Sequence, residues 1–307
     1  MFELILVIAP LFIIIFGSAF LVKFGIADVK WQEELNAYAL KIGFPALLFS
    51  ALAGMEFSIM EEWDLLLANS IFLLMSFVLA YVIGKLLKLK KKMFMTLFIC
   101  LGFGNAAYLG IPALVQSYGD SVLGEASLVV AVYLLFIFTI GIGCLEIWNK
   151  KNKDAVLHKI LFRLVKNPLL LAVVFGLVFS YLNLELPSAL QQAIDMLAAS
   201  VTPIVLVVIG LFLGHTKFGK LKDWLPSGIF TLMTLMVLPA IFYFVVKAMQ
   251  LDTGDFSVSI VDAAMPLAIT PFALVEEYNL DKSFIARSIV LSTILSVLTI
   301  PFWIFVV

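Results

Sequence analysis

Long apolar runs alternate with short charged or Pro/Gly-rich clusters along the whole chain. Read for such runs, the sequence predicts ten membrane-spanning helices, over roughly 4–22, 37–54, 65–84, 94–115, 125–148, 163–183, 190–213, 226–248, 258–278 and 287–306. Each is close to the roughly 20 residues that cross a bilayer core. The first run follows Met1, Phe2 and Glu3 with no Lys or Arg, whereas a secretory signal needs a basic leader, so it is read as a span.

Basic residues test this map independently, because Lys and Arg near span ends stay on the cytoplasmic side. Loops after odd-numbered spans hold 18 of the 20 basic residues, from Lys23 and Lys30 to Lys282 and Arg287. The other two, Lys41 and Lys247, lie near span ends, where long side chains reach the interface. The alternation would vanish with one span miscounted, so the expected topology places both termini outside the cell membrane. The run Lys85 to Lys92 is read as a topology determinant rather than a lipid or nucleotide site. Glu56, Glu61, Glu62 and Asp64 mark an acidic outer loop.

Two halves are visible. Pro45 in GFPALLFSALAG and Pro203 in SVTPIVLVVIGLFLG lie 158 residues apart, and PALVQSYGD after span 4 resembles FALVEEYNLD after span 9 at a similar offset. Five spans per repeat is an odd number, so the second unit, 151–307, must sit upside down relative to the first, 1–150. The most informative elements are spans 4 and 9. FICLGFGNAAYLGIPALV places Gly102, Gly104, Asn105, Gly110 and Pro112 in the middle of the membrane, and SIVDAAMPLAITPFALV places Asp262, Met265, Pro266, Thr270 and Pro271 at the matching place. Pro removes a helix hydrogen bond and Gly relaxes the backbone, so both helices are expected to break there. Unpaired backbone groups survive in hydrocarbon only where protein, water or a ligand meets them, which points to a binding site between the breaks. Freed N–H groups at half-helix N-termini favour an anion, and freed carbonyls favour a cation.

Asp262 is the sharpest single residue: a mid-membrane carboxylate costs about 2.5–3.5 kcal/mol even on a lenient scale, so such residues pair, bind ions or relay protons. Asp195, in the first turns of span 7, is a weaker candidate for the same role. Composition agrees with a membrane protein: 63% of the 307 residues are hydrophobic and 13% charged, which excludes a cytosolic globule. The net charge of −1 removes a case for nucleic-acid binding. Cys100 and Cys144 show no metal or disulfide spacing, and no phosphate-binding loop or nucleophile elbow occurs, so neither a cofactor nor an enzyme is expected. An intramembrane enzyme using Asp195 and Asp262 as paired acids has no shared motif behind it.

In order and spacing, FPALLF of span 2, GNAAYLGIP of span 4, KNPLLLAVVFGL of span 6, SVTPIVLVVIGLFLG of span 7, and AAMP, EEYNLD and LSTILSVLTIP of spans 9 and 10 resemble the auxin efflux carrier family. That family includes plant auxin carriers and bacterial permeases for organic acids, and belongs with the bile-acid/sodium symporters in a larger superfamily. The resemblance covers nearly the whole chain. It implies an all-α elevator-like transporter of a small organic anion, with spans 1, 2, 6 and 7 as a scaffold that also forms a homodimer. Spans 3–5 and 8–10 would form a mobile core in which spans 4 and 9 cross near Pro112 and Pro266. Carried over residue by residue, Asn105, Gly110 and Pro112 match the span 4 motif and Pro266 the span 9 motif. Asp262 is similar in position to an acidic ion ligand of the sodium symporters, which opens coupling to sodium near Asn105 and Asp262, or to protons, beside uncoupled diffusion. The cytoplasmic segment after span 5 is short, so control through a large regulatory loop is not carried over. A ligand-binding receptor or a channel of the same fold is the alternative.

Overall fold

The structure is a computed structural model, and it describes residues 2–55, 62–149, 156–216 and 220–307. Glu56, Glu61, Lys150, Lys151, Lys153 and Lys217, used above for topology, lie outside the described residues, as does the boundary between the two expected repeats. The described chain is helical, with one isolated β-bridge and no strand. Its helices are α1 (Phe2–Lys23), α2 (Val29–Tyr38), α3 (Phe44–Ala53), α4 (Trp63–Leu86), α5 (Lys91–Leu101), α6 (Ile111–Tyr118), α7 (Leu123–Phe136), α8 (Ile142–Trp148) and α9 (Val156–Val165). They continue with α10 (Pro168–Tyr181), α11 (Ser188–Ala199), α12 (Val201–His215), α13 (Leu225–Leu232), α14 (Leu238–Ala248), α15 (Ser257–Ala263), α16 (Thr270–Ala273), α17 (Val275–Tyr278) and α18 (Lys282–Val306).

Seven helical stretches among the described residues are long and apolar enough to cross a membrane: Phe2–Lys23, Val29–Ala53, Trp63–Leu86, Asp120–Trp148, Ser188–His215, Leu225–Ala248 and Lys282–Val306. The three other expected spans fall on helical runs that are interrupted. Asn167 ends one interruption by capping α10, its Oδ1 accepting from Leu169 N at 2.9 Å, with Pro168 at the first helical position. The remaining two, between α5 and α6 and between α15 and α16, form the candidate site.

Prolines explain much of the local geometry. Five-residue π-turns at Ala39–Gly43, Ala106–Gly110 and Met233–Val237 each end two residues before a proline, Pro45, Pro112 and Pro239. A wider turn takes up a proline ring that would clash with the carbonyl four residues back. For Pro239 that carbonyl belongs to Leu235, and Trp303 Nε1 donates to it at 2.8 Å. The buried acceptor orphaned by the proline is thus satisfied from α18.

Helix packing runs through the whole described bundle. α1 lies on α12, α3 on α10 and α11, and α2 on α12; α4 packs on α5 and α7, α13 on α18, and α15 on α7, α14 and α18, with α1 also meeting α6 and α18 and α7 meeting α3 and α10. The close approach of α1 to α12 runs through Gly210 and Gly214 of α12. A Cβ on Gly210 would collide with the Ile15 carbonyl of α1, and one on Gly214 would lie 2.8 Å from the Ala19 carbonyl. Such small residues four apart let membrane helices meet backbone to backbone. At one end of the bundle Arg163 of α9 donates to Tyr278 Oη (2.9 Å), lies 2.5 Å from Glu277 and 3.9 Å from Glu146, and Tyr278 Oη donates to Glu146 at 2.9 Å.

Candidate functional site

Where α5 ends at Leu101 the backbone turns at Gly102 and runs non-helical through Phe103 to Asn105, and where α15 ends at Ala263 it turns at Ala264 and runs non-helical through Met265 to Ala268. The two non-helical segments pair. Gly104 and Leu267 form the antiparallel bridge, Asn105 N donates to Pro266 O at 2.8 Å, and Ala268 N donates to Phe103 O at 3.0 Å. Two helix interruptions thereby satisfy each other's backbone groups, as a water-poor interior requires. Leu267 N, left over by this pairing, donates to Ser292 Oγ of α18 at 3.1 Å. The Asn105 carbonyl accepts from Leu109 N (3.2 Å) and Gly110 N (2.9 Å), starting the π-turn.

The sequence expectation has spans 4 and 9 cross near Pro112 and Pro266; the paired segments include Pro266 but lie ahead of Pro112, at Phe103 to Asn105. Pro112 sits in the first turn of α6, with the π-turn Ala106–Gly110 between it and Asn105. A proline is accepted in a first helical turn, where its missing N–H has no intrahelical partner to lose. The chain leaves the helix at the glycines, Gly102 and Gly104, instead. Pro266 lies inside its own break and supplies the carbonyl that pairs with Asn105, while Thr270 is the first residue of α16, half-buried.

Asp262, in the last turn of α15, is 1% exposed, and neither carboxylate oxygen has a hydrogen-bond partner among the described residues. It faces the π-turn: a Cβ on Gly110 would collide with Asp262 Oδ1 and approach the Asn105 carbonyl (3.4 Å) and the Met265 side chain (3.5 Å). Gly110 is therefore the residue that lets the acid come this close to the other half's backbone. Beside the bridge lies a cavity of about 20 Å³, lined by Gly104, Tyr133, Thr234, Ala263, Met265 and Leu267 among others. That is room for a single water.

A larger cleft of about 660 Å³ opens between α2 and α12 on one side and α16 and α18 on the other. Gln32, Glu33, Asn36, His215, Lys282 and Arg287 give it polar walls, and Ile269, one residue past the paired segment, is part of its lining. Asn36 links cleft and crossing point, since its Oδ1 accepts from Tyr108 Oη in the π-turn at 2.7 Å. Lys282 and Arg287 face Glu33 across it, with Lys282 also 3.8 Å from Glu276 outside the lining, so the charged groups lining the cleft carry a small positive excess.

The structure does not bring Asp195 into this group. It is exposed on α11, where its Oδ1 accepts from Ser50 Oγ (2.6 Å) and Gln191 Nε2 (2.8 Å), so it shares neither partner nor cavity with Asp262. Sequence reading missed Asn36, Tyr108 and the serines of α18. The signal for the last was present: Ser288, Ser292 and Ser296 recur every fourth residue in an apolar span, one buried face of a helix. Asn36 and Tyr108 lie 72 positions apart, and no local pattern joins them.

A family model described as membrane transport protein matches residues 4–304. The chain belongs to this family, that of the auxin efflux carriers. Among its relatives is an uncharacterized transporter of Methanocaldococcus jannaschii, 26% identical over 290 residues, which are 91% of each chain. Another is a protein of Rhizobium meliloti named "Putative malonate transporter", 23% identical over 87% of this chain and 84% of its own. Auxin efflux carrier component 1 of Arabidopsis thaliana is 22% identical over 138 residues, 44% of this chain and 22% of its own. The chain is thus a multi-span member of a membrane transport family.

Proposed function

We propose that this family member is a secondary transporter that carries a small organic anion, a mono- or dicarboxylate, across the cell membrane by elevator-type alternating access. The observation that carries the reading is the paired backbone at Gly104 and Leu267, beside Asp262, which has no hydrogen-bond partner among the described residues, together with a cleft that carries Lys282 and Arg287 and is lined in part by Ile269, one residue past the paired segment. Helices interrupted as a pair at one point give a ligand backbone groups that an intact helix would keep for itself. On this reading the chain makes ten spans in two inverted repeats, 1–150 and 151–307, with the interrupted runs α5–α6 and α15–α17 as spans 4 and 9. Spans 1, 2, 6 and 7 are the scaffold and dimerising part, spans 3–5 and 8–10 the moving core, and both termini lie outside.

The cleft carrying Lys282 and Arg287 then opens to the cytoplasm, and the anion moves along it towards Asn105, Gly110, Met265, Pro266 and Thr270. The N–H groups of Ala106 and Ala107, at the start of a helical run of 13 residues, point their dipole at its carboxylate. Asp262 is the coupling residue. A lone acid sealed in protein is costly as an anion, so a proton or a sodium ion taken up beside it relieves that cost and ties ion movement to core movement.

Purified protein in liposomes tests this directly: saturable uptake of labelled malonate, malate, lactate or indole-3-acetate, accelerated by the same unlabelled acid on the far side, is the expected result. Movement of another solute with no flux of any carboxylate would overturn it. A flux that never saturates would make the protein a channel, and binding without flux a receptor.

A further inference from the structure

We propose that the groove between the neighbouring ends of α4, α5 and α8 is a binding site for the headgroup of an anionic phospholipid. The groove has a volume of about 790 Å³, and Tyr81, Lys85, Lys88, Lys91, Phe94 and Trp148 supply its chemistry. Lysines of one loop normally splay into water, and the run from Lys85 to Lys92 needs no more than that to set topology. Here the fold gathers three of them around one aromatic wall. Phe94 meets Trp148 edge to face at 4.9 Å and Tyr81 at 5.7 Å, and the Lys85 ammonium lies 5.5 Å from the Tyr81 ring and 5.9 Å from that of Phe94.

Among the described residues no carboxylate lines the groove, and none of the three lysines has an ion pair. Three ammoniums without counter-charge over an apolar floor fit a group that is anionic at one end and apolar at the other. The phosphate lies among the ammoniums, and the acyl chains follow the exposed Val82, Leu86 and Ile147 on the same helix ends. A soluble anion would use the lysines alone. Lys88 stands in the left-handed turn after α4 (φ 48), closed by Leu89 N to Gly84 O at 3.0 Å, where glycine is the usual residue. The lysine there keeps a third ammonium on the rim.

The proposal rests on the membrane orientation proposed above, which puts this rim in the cytoplasmic leaflet, but neither readout below needs transport, so the two readings fail separately. Detergent-purified wild-type protein is acetylated with an amine-reactive reagent, with or without dioleoylphosphatidylglycerol, and the lysines are read by peptide mass spectrometry. Phosphatidylglycerol is expected to lower labelling of Lys85, Lys88 and Lys91 by roughly threefold or more relative to Lys23, Lys30 and Lys220, while phosphatidylcholine and inorganic phosphate leave it unchanged. In native mass spectrometry Lys85→Gln/Lys88→Gln/Lys91→Gln should weaken phosphatidylglycerol binding by about tenfold or more, and Lys23→Gln/Lys30→Gln/Lys220→Gln should not. Uniform labelling, equal protection by phosphatidylcholine or by inorganic phosphate, or equal loss in both triple variants would each overturn it.

Discussion

The Asp262 carboxyl fills the space into which a side chain at Gly110 would project, and that decides what substitution at either does. Glycine is needed at 110 because any side chain meets Oδ1 of the acid. Gly110→Ala is expected to cost about 1–3 kcal/mol by overpacking, read as a lowered unfolding temperature of the purified protein. Adding Asp262→Ala removes the colliding oxygen and should restore most of that loss; a double variant as unstable as the single one would place the strain elsewhere. Asp262→Asn keeps the shape without the charge. Flux through this variant should lose its dependence on sodium and pH while the protein stays folded, and an unchanged dependence on both would remove Asp262 from coupling. The two substitutions separate space from charge at one position, which neither does alone.

At the level of elements, each interrupted helix is held by the other, and the second also by α18. Ser292→Ala leaves the Leu267 N–H buried without its acceptor, a loss of about 1–3 kcal/mol, and hydrogen exchange should rise at Leu267 and Ala268 while α1 and α12 keep their protection. Pro112→Ala tests the opposite point. Because the chain leaves the helix at Gly102 to Asn105, removing a proline from the first turn of α6 should not rejoin α5 to α6. Exchange at Ala106 to Gly110 should fall as the wide turn closes, with flux retained; a fused helix with no flux would make the proline the cause of the break.

The seven long apolar helices were legible in the sequence because a bilayer asks for one property over about 20 residues. Asn105, Gly110 and Asp262 stood out because polar or flexible residues are expensive in such runs. The stretch from Gly102 to Pro112 was legible as a break, but not which of its residues yields, since glycine and proline both signal a weak helix and only the pairing of Asn105 N with Pro266 O decides between them. Nor was the placement of Asp195, whose partners Ser50 and Gln191 exposed it as a surface residue once α3 and α11 were packed together.

For the whole molecule, elevator transport requires the set of helices around α15 to slide against the set around α12, and one contact between the sets can be tied. Met55, after α3, and Gly124, in the first turn of α7, stand so close that a Cβ on Gly124 would lie 3.6 Å from the Met55 Cβ. That is within the roughly 3.5–4.5 Å that a disulfide spans. Met55 belongs to the proposed scaffold and Gly124 to the proposed core. In a background with Cys100→Ala and Cys144→Ala, the pair Met55→Cys/Gly124→Cys should form a disulfide on oxidation and fix the two sets in the arrangement seen here. Carboxylate flux in proteoliposomes should then fall to background and return on reduction, while each single cysteine variant is insensitive to oxidant. Substrate should still bind to the locked protein, because the cleft beside Asn36 and Arg287 is already open in this arrangement, and raise its unfolding temperature. Full flux through protein shown by mass to be completely cross-linked would mean that the two sets need not move apart at this end, and an elevator would give way to local gating around the paired backbone at Gly104 and Leu267.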